Sequence, residues 1–261
     1  MPTLSLPGSD LHYEETGSGV PVLLLHGMSL DGRMWDDQVA ALVDVAHLVV
    51  PDLRGFGKSA RDSAVPYSHA ADVWALADHL GWTDAVVVGL SMGGMVALES
   101  VLAAPDRVRA LVLVDSVIDG VDFDAPLKQA VAELYGAAAA GDIERAKEIW
   151  LECPFFAPAN RNAEVRARLA AMVADYSALD GVGDDPPARR PKLLPALAGI
   201  AVPTTVVVGE LDAPSFLEMA DAMAAGIPGA RKVVVPDAGH MVNMEAPDAV
   251  NAILREVITG S

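Results

Sequence analysis

The fold is decided by the stretch VVVGLSMGGMVAL, residues 86–98. Its three consecutive valines favour an extended backbone, whereas the residues from Met95 onward favour a helix. The chain must therefore turn from a strand into a helix within about three residues around Ser91. So sharp a turn requires residues without a Cβ on either side of the serine, and Gly89 and Gly93 meet that requirement.

Length and composition restrict the class of protein. The chain has 261 residues, 52% of them hydrophobic, which suffices for a large core in one domain with an insertion. It carries 36 acidic and 18 basic residues, a net charge of −18. Because phosphate backbones and anionic membrane surfaces repel such a charge, we expect neither a nucleic acid nor a membrane as partner.

The chain shows no sign of export or of a membrane anchor. Its single cysteine, Cys153, has no partner for an intramolecular disulfide, which fits a reducing compartment. The first residues lack the basic start and the apolar run of a signal peptide. No apolar run approaches the roughly 20 residues that span a bilayer. We therefore expect a cytoplasmic protein.

Short apolar runs alternate with helix-like segments along the chain. The runs predict strands covered on both faces at 22–25, 48–50, 85–88, 110–114, 204–208 and 232–235. The segments between them predict helices at 33–43, 68–80, 92–104, 215–225 and 247–257. This alternation indicates an α/β fold, with a mostly parallel sheet and helices on both of its faces. Residues 4–6 and 11–15 predict an antiparallel hairpin at the start of that sheet.

The alternation is interrupted between residues 119 and 201, where no run is typical of a strand. Helix-like segments occur there at 127–140, 142–151 and 163–179. We therefore predict a core formed by residues 1–118 and 202–261, with residues 119–201 inserted into it as a small helical cap. An insertion at this point covers one edge of the sheet.

Residues 89–93 read GLSMG and match the G-x-S-x-G pattern of a nucleophile elbow. In such a turn, a strained backbone projects the serine hydroxyl above the carboxyl edge of the sheet. The helix that follows directs backbone N–H groups and its positive dipole end at charge that develops beside Ser91. A glycine-rich phosphate loop is the competing interpretation. It fails because G-x-G-x-x-G would require glycine at position 91.

A serine nucleophile needs a base, and the sequence contains six histidines. His240 follows the predicted strand at 232–235, so it lies at the same carboxyl edge as Ser91. His26 also ends a strand and is its competitor. The other four, at positions 12, 47, 69 and 79, lie in or beside elements remote from that edge and are interpreted as surface or filler residues.

The acid that orients the base should come from another loop at this edge. Asp212 follows the predicted strand at 204–208, and the resulting order of serine, aspartate and histidine is the one that this architecture predicts. Asp115, at the end of the strand before the insertion, and Glu210 are the alternatives.

Five motifs, in this order, resemble those of the α/β-hydrolase superfamily over essentially the whole chain. They are LHGM at 25–28, DLRGFGKS at 52–59, GLSMGG at 89–94, GELD at 209–212 and AGH at 238–240. The resemblance implies that Ser91, Asp212 and His240 form a catalytic triad. It also implies that the backbone N–H groups of Met28 and Met92 form the oxyanion hole.

Particular branches of the superfamily show a narrower resemblance. Residues 26–35 resemble small bacterial serine carboxylesterases and cofactor-free perhydrolases, and residues 89–95 resemble 3-oxoadipate enol-lactonases. In such enzymes the residue equivalent to His26 is structural. Relatives resembling haloalkane dehalogenases and epoxide hydrolases place aspartate where this chain has Ser91, so alkyl-enzyme chemistry is disfavoured.

We therefore expect a serine hydrolase that cleaves a small-molecule carboxylic ester or lactone through an acyl-enzyme on Ser91. This chemistry needs no cofactor. An enol-lactonase or a C–C bond hydrolase of aromatic degradation is an alternative with the same triad. A small-molecule receptor of the same fold, with little turnover, is the alternative from another class.

The cap should supply selectivity, because it roofs the nucleophile. Its large side chains are the candidates for lining the pocket: Trp150, Phe155, Phe156, Met172 and Tyr176. Cys153 is interpreted as a buried filler, since Ser91 already occupies the elbow. The adjacent Asp184 and Asp185 precede two prolines and are interpreted as an exposed loop, so we predict no metal site.

Overall fold

The structure, a computed structural model, describes residues 2–59, 65–176 and 192–260. Its strands are β1 (Thr3–Leu6), β2 (Ser9–Gly17), β3 (Val20–Leu25), β4 (Ala46–Pro51), β5 (Ala85–Leu90), β6 (Val108–Val114), β7 (Thr204–Gly209) and β8 (Arg231–Val235). They form one sheet in the order β1-β2-β4-β3-β5-β6-β7-β8. Strand β2 is antiparallel to both β1 and β4, and the other neighbours are parallel. The predicted α/β class and the antiparallel start are confirmed.

Helices connect most of these strands. They are α1 (Asp36–Leu42), α2 (His69–His79), α3 (Met92–Ala103), α4 (Ala125–Ala139), α5 (Ile143–Leu151), α6 (Ala163–Asp175), α7 (Pro214–Gly226), α8 (Val242–Glu245) and α9 (Pro247–Thr259). The helix predicted at 33–43 begins instead as a 3-10 turn, Gly32–Trp35, which the Asp31 carboxylate caps by accepting the Arg33 N–H at 3.0 Å. The short helix α8 was not predicted.

The middle of the sheet explains why its strands have continuous apolar sequences. Every residue of β5 and of β7 is buried, so the side chains on both faces are mainly apolar, with Thr204 and Thr205 at the start of β7 as the exceptions. Helix α3 packs on β5 and β6, and α7 packs on β7 and β8. Because β5, β6, β7 and β8 are parallel neighbours, the loops that follow them all leave the sheet at one edge. That edge is where the sequence placed the reactive residues.

Helices α4, α5 and α6 lie between β6 and β7, and we call residues 125–175 the helical segment. Helix α5 packs against both α4 and α6. Arg168 of α6 contacts Asp37 of α1, with Nη1 and Oδ2 2.7 Å apart. At the other end, Asp124 caps α4 and accepts the Ser215 hydroxyl at 2.9 Å. The segment is thus attached to two helices of the core.

Part of the predicted cap lies outside the described residues, including Asp184 and Asp185. The boundary at 119–201 therefore stays a prediction. Helix α6 ends at Asp175, within the predicted helix at 163–179. Among the described helices, none is both long enough and apolar enough to cross a membrane.

Candidate active site

Ser91 lies at the junction of β5 and α3, where the sequence predicts the elbow. Its backbone has φ +54° and ψ −114°, a conformation rare for a residue with a side chain. A Cβ on Gly89 would lie 2.1 Å from the Gly93 carbonyl oxygen, and a Cβ on Gly93 would lie 2.2 Å from that of Leu25. Both positions therefore exclude any side chain. The Ser91 N–H donates to the Val114 carbonyl at 2.9 Å, which fixes the turn against β6.

His240 and Asp212 meet on the loops that follow β8 and β7. The imidazole Nδ1 and Asp212 Oδ2 are 2.9 Å apart, and the residues are 3% and 5% exposed. Gly209 allows the two loops to approach, because a Cβ there would lie 2.2 Å from the Gly239 carbonyl oxygen. With Nδ1 engaged by the carboxylate, Nε2 is the nitrogen left to exchange a proton with another group.

Glu245 and two aromatic rings hold the His240 loop. The two Glu245 carboxylate oxygens accept the backbone N–H groups on either side of His240, at 2.9 and 3.0 Å. Burial raises the pKa of Glu245. The rings of Phe216 and Phe155 lie 4.2 and 4.6 Å from the imidazole, centroid to centroid. The imidazole is therefore restrained by its backbone and packed between apolar surfaces.

His26, the competing base, has both ring nitrogens occupied by backbone groups. Its Nδ1 contacts the Gly27 carbonyl at 2.8 Å, and its Nε2 accepts the Leu53 N–H at 2.8 Å. Only the tautomer with hydrogen on Nδ1 satisfies both contacts. Burial lowers the pKa of His26, which favours the neutral ring. The carbonyl that it holds belongs to the same peptide unit as the Met28 N–H, so His26 orients the predicted oxyanion loop.

Met28 and Met92 lie on the wall of the cavity that Ser91 also lines. A Cβ on Gly27 would be 3.5 Å from the Ser91 Cβ, so the loop after β3 passes directly beside the serine. Met92 is the first residue of α3, and N–H groups in the first turn of a helix have no acceptor within it. Both predicted oxyanion donors are thus on segments adjacent to Ser91.

Of the alternative acids, Glu210 lies on the surface and Asp115 lies beside the triad. Glu210 accepts the Asp237 N–H at 3.2 Å. Asp115 is 1% exposed, and its Oδ1 accepts the Gly209 N–H at 2.8 Å. One carboxylate oxygen of Asp115, one of Asp212 and one ring nitrogen of His240 lie within 4.8 Å of one another. In the described ranges, this is the one cluster of three side chains of types that can bind a metal. The imidazole contact at hydrogen-bond distance belongs to Asp212.

A cavity of about 590 Å³ opens beside Ser91 and His240, with mainly apolar walls. Four of the residues that the sequence placed in the pocket line it: Trp150, Phe155, Phe156 and Tyr176. Met172 does not line it. With Val165 and Leu169 it forms the buried face of α6, and it is 2% exposed. Spacings of three and four residues put these side chains on one side of the helix, turned into the core.

Other lining residues were not predicted: most lie outside residues 119–201, and Phe123 and Leu134 lie in the predicted cap but were not among its candidate side chains. They include Arg54, Tyr67, His69, Phe123, Leu134 and Phe216. His69 corrects an expectation, since the sequence placed it away from the catalytic edge. Phe216 carried a usable signal: it follows Asp212 by four residues and lies in the first turn of a helix that begins at Pro214.

Arg54 is the one Lys or Arg among the described residues that line the cavity. Its Nε and Nη2 donate to the two oxygens of Asp72, both at 2.8 Å, and its Nη1 donates to the Pro7 carbonyl at 2.6 Å. Arg54 and Asp72 are 2% and 6% exposed. The positive charge of the guanidinium is therefore compensated inside the protein by a bidentate ion pair.

A chain of hydrogen bonds connects the helical segment to the predicted oxyanion loop. Trp150 Nε1 donates to the Ser29 hydroxyl, and this hydroxyl donates to the Met28 carbonyl at 2.5 Å. Ser29 has φ +64°, an unusual backbone conformation for a residue with a side chain. Trp150 thus contacts the loop as well as lining the cavity.

Cys153 follows α5 and is 1% exposed. Burial raises the pKa of its thiol to about 12. Because the thiolate is the reactive form of cysteine, a thiol with this pKa is a poor nucleophile near neutral pH.

The protein-family model for the alpha/beta hydrolase fold matches residues 20–247 of this sequence. The chain is 27% identical to the pimeloyl-[acyl-carrier protein] methyl ester esterase of Stenotrophomonas maltophilia over 261 residues, which cover 96% of this chain and 97% of that one. A thermophilic esterase from Thermogutta terrifontis is 34% identical, with a TM-score of 0.77 over 99% of this chain and 96% of that one. The enol-lactonase from Burkholderia xenovorans LB400 is 26% identical, with a TM-score of 0.83 over 99% of this chain and 100% of that one.

These matches extend over nearly the whole chain and include the sheet, the elbow and the loop that carries His240. The chain therefore belongs to the alpha/beta hydrolase family.

Proposed function

We propose that this protein is a serine hydrolase that cleaves carboxylic esters of small, neutral molecules through an acyl-enzyme on Ser91. The observation that carries the proposal is the buried His240–Asp212 hydrogen bond of 2.9 Å on the cavity that Ser91 lines from its strained turn. A nucleophile, a base and a group that orients the base are the parts that acyl transfer requires.

The reaction begins when Ser91 Oγ attacks the carbonyl carbon of the ester and His240 Nε2 takes the hydroxyl proton. Asp212 holds the imidazole in one tautomer and stabilises the cation that forms. The bond from carbon to the alcohol oxygen then breaks, and His240 returns the proton to the departing alcohol. Water, deprotonated by His240 in the same way, then attacks the acyl carbon. The bond from this carbon to Ser91 Oγ breaks, the carboxylic acid leaves, and His240 returns the proton to Oγ.

Backbone N–H groups stabilise the negative charge on the carbonyl oxygen in this proposal. Met92 supplies one from the first turn of α3, where the helix dipole adds a favourable potential. Met28 supplies the other from the loop oriented by His26. Removal of one such donor typically costs about a hundredfold to a thousandfold in turnover. Because both donors are backbone groups, side-chain substitutions at Met28 and Met92 act through packing.

The cavity supports a neutral, apolar substrate. Its walls are mainly apolar, and its one described cation, Arg54, is paired with Asp72. A net charge of −18 also repels anionic substrates as they approach. Esters with hydrocarbon acyl groups fit this environment better than substrates with a free carboxylate.

A lactonase is the second candidate, because an enol-lactonase has the same fold over the whole chain with a TM-score of 0.83. A lactone is a cyclic ester, so the same serine, base and oxyanion donors would open its ring. The alcohol then remains attached to the acyl group. A panel of neutral lactones beside open-chain esters of equal carbon number separates the two activities by kcat/KM.

The test is multiple-turnover hydrolysis of a short-chain p-nitrophenyl ester by the parent and by the Ser91→Ala variant. We expect many products per chain from the parent and a loss of roughly a millionfold in kcat from the variant. The matched control is Ser116→Ala, which removes a buried hydroxyl close to Gly94 in the same turn region.

Melting curves of the three proteins show whether each is folded. A parent that releases at most one product per chain would favour a small-molecule receptor. Equal activity of parent and Ser91→Ala would require a different nucleophile.

A further inference from the structure

Asp115 is a buried carboxyl group that the proposed reaction does not use. It follows β6, is 1% exposed and has φ +41°, a backbone conformation that side chains disfavour. Its Oδ1 accepts the Gly209 N–H at 2.8 Å. Its Oδ2 is buried and has no hydrogen-bond partner among the described residues. Buried polar atoms are normally hydrogen-bonded, so this oxygen requires an explanation.

The surroundings of the Asp115 carboxyl group are acidic. Asp212, on the loop after β7, and His240, on the loop after β8, place ligand atoms within 4.8 Å of those of Asp115. Glu245, on α8, adds a third carboxyl group that interacts with both aspartates. The hydrogen bonds and ion pairs of the described residues give Asp115 and Asp212 no Lys or Arg partner. Two ionised carboxylates placed in this way would repel each other strongly.

We propose that Asp115 is a positioning residue, a neutral carboxylic acid whose Oδ2 donates a hydrogen bond to the Asp212 carboxylate. One proton then removes the repulsion and gives the buried oxygen its partner. Asp212 remains ionised and keeps its contact with His240 Nδ1. This role presupposes that Asp212 and His240 act as in the proposed function.

The electrostatics of the site support a proton on Asp115. Burial and the neighbouring Asp212 carboxylate raise the pKa of Asp115 well above its usual range. An ionised carboxyl group at position 115 would place a second negative charge beside the imidazole.

The hydrogen bond has a consequence for the base. By stabilising the negative charge of Asp212, the Asp115 donor weakens the attraction between Asp212 and the protonated imidazole. Loss of this donor should make His240 more basic, so that activity is lost at a higher pH on the acid side. Loss of a negative charge at Asp115 should do the opposite. The two states of Asp115 therefore predict opposite effects.

The first experiment is an infrared difference spectrum at pH 7 between the Ser91→Ala protein and Ser91→Ala/Asp115→Asn. We expect the parent of this pair to show the C=O stretch of a protonated carboxylic acid, and the double variant to lack it. If the difference spectrum instead shows the loss of a carboxylate band, Asp115 is ionised and the proposal is overturned. This measurement needs no turnover, so it stays decisive even if the esterase assignment fails.

The second experiment compares pH–rate profiles of Asp115→Asn and Asp115→Ala with the parent. The Asn amide can donate to Asp212 and accept from Gly209. We therefore expect kcat to fall only a few-fold, and the acid limb of the pH–rate profile to lie at the same pH as in the parent. The Ala variant has no donor, and we expect kcat to fall at least about tenfold with the acid limb at higher pH.

Three results would overturn this role. A shift of the acid limb to lower pH in Asp115→Asn means that the substitution removed a negative charge. A parent-like profile and rate in Asp115→Ala means that Asp115 positions nothing. Equal losses in both variants with no shift of the limb mean a purely structural role. If Asp115→Ala does not fold, the Asp115→Asn profile and the infrared spectrum still decide.

Discussion

The loops at the carboxyl edge of the sheet and the helical segment of residues 125–175 line the same cavity, but different forces hold their residues in place. At the sheet edge, the backbone itself is constrained: Ser91 has a positive φ, and Gly89 and Gly209 lie where any Cβ would collide with a carbonyl oxygen. In the helical segment, the lining side chains lie on helices and on the 3-10 turn Pro154–Phe156, and the way these elements are rotated in the packed structure decides which side chains face the cavity. The chemistry therefore depends on backbone geometry, whereas the shape of the cavity depends on replaceable side chains.

After Ser91→Ala, the largest expected effect comes from the sheet edge, with Asp212→Asn. The amide leaves the volume of the side chain intact but no longer stabilises the imidazole cation or selects its tautomer. We expect kcat for ester hydrolysis to fall by about 10⁴-fold, with a melting temperature close to that of the parent.

The control for this variant is Glu210→Gln, two residues away on the same loop but on the surface. It should retain the parent rate. If Asp212→Asn keeps most of its activity while Asp115→Asn loses it, then Asp115, and not Asp212, is the acid that orients His240.

The helical segment should respond differently, as Leu134→Ala and Met172→Ala can show. Both side chains are buried in this segment, at 1% and 2% exposure, but only Leu134 lines the cavity. Each substitution should lower the free energy of unfolding by about 2–5 kcal/mol. Leu134→Ala should also change the ratio of kcat/KM between long and short acyl esters by about tenfold.

Met172→Ala is the matched control, since it loses similar volume without touching the cavity. Its acyl-chain preference should equal that of the parent. A change in preference as large as that of Leu134→Ala would mean that selectivity follows the stability of the segment rather than the shape of the wall.

We expect the buried thiol of Cys153, in the helical segment, to lower the stability of the protein at alkaline pH. The pKa of this thiol is raised to about 12 in the folded protein, from a usual value of 9.0. As pH rises above 9, the unfolded chain releases the proton while the folded chain keeps it, so stability falls by about 1.4 kcal/mol per pH unit. This loss is absent below pH 9 and complete near pH 12.

Urea unfolding of the parent and Cys153→Ala at pH 8 and pH 10.5 measures this contribution. The parent should lose about 2 kcal/mol more than the variant between these pH values. Parallel pH dependences would show that the thiol ionises equally in both states.

The smallest expected effect lies where the two regions meet, at Trp150. Trp150→Phe keeps an aromatic ring in the wall but removes the N–H that donates to Ser29. Loss of one hydrogen bond costs about 1 kcal/mol, so we expect kcat to fall about fivefold. The double variant with Ser29→Ala should fall no further than Ser29→Ala alone, because both substitutions break the same chain of contacts. If the losses in kcat are additive in the double variant, the Trp150 and Ser29 contacts act independently of each other.

The difference between the two regions also explains how far the sequence was informative. The eight strands, the hairpin and the elbow were predictable, because valine runs, glycines and turn residues act locally. The positions of Asp212 and His240 could be inferred as well, since parallel strands deliver their following loops to one edge. This step required only the order of the elements.

Tertiary packing determined what could not be predicted. Met172 faces the core because of the rotation of α6, which a single sequence does not fix. His69 and Arg54 reach the cavity from distant parts of the chain. Asp115 was predicted only as an alternative to Asp212, and its position beside Asp212 depends on the pairing of β6 with β7. Contacts of this kind are long-range and leave no local pattern.

The paired state of Arg54 also affects how a reaction cycle would end. Ester hydrolysis yields a carboxylic acid, which is an anion at neutral pH. The cavity wall that would have to retain this anion is mainly apolar. Arg54, the one Lys or Arg among its described lining residues, is already paired with Asp72. The surrounding protein, with its net charge of −18, repels the anion further. We therefore expect the carboxylate to leave readily and to inhibit weakly, so that initial rates persist while product accumulates.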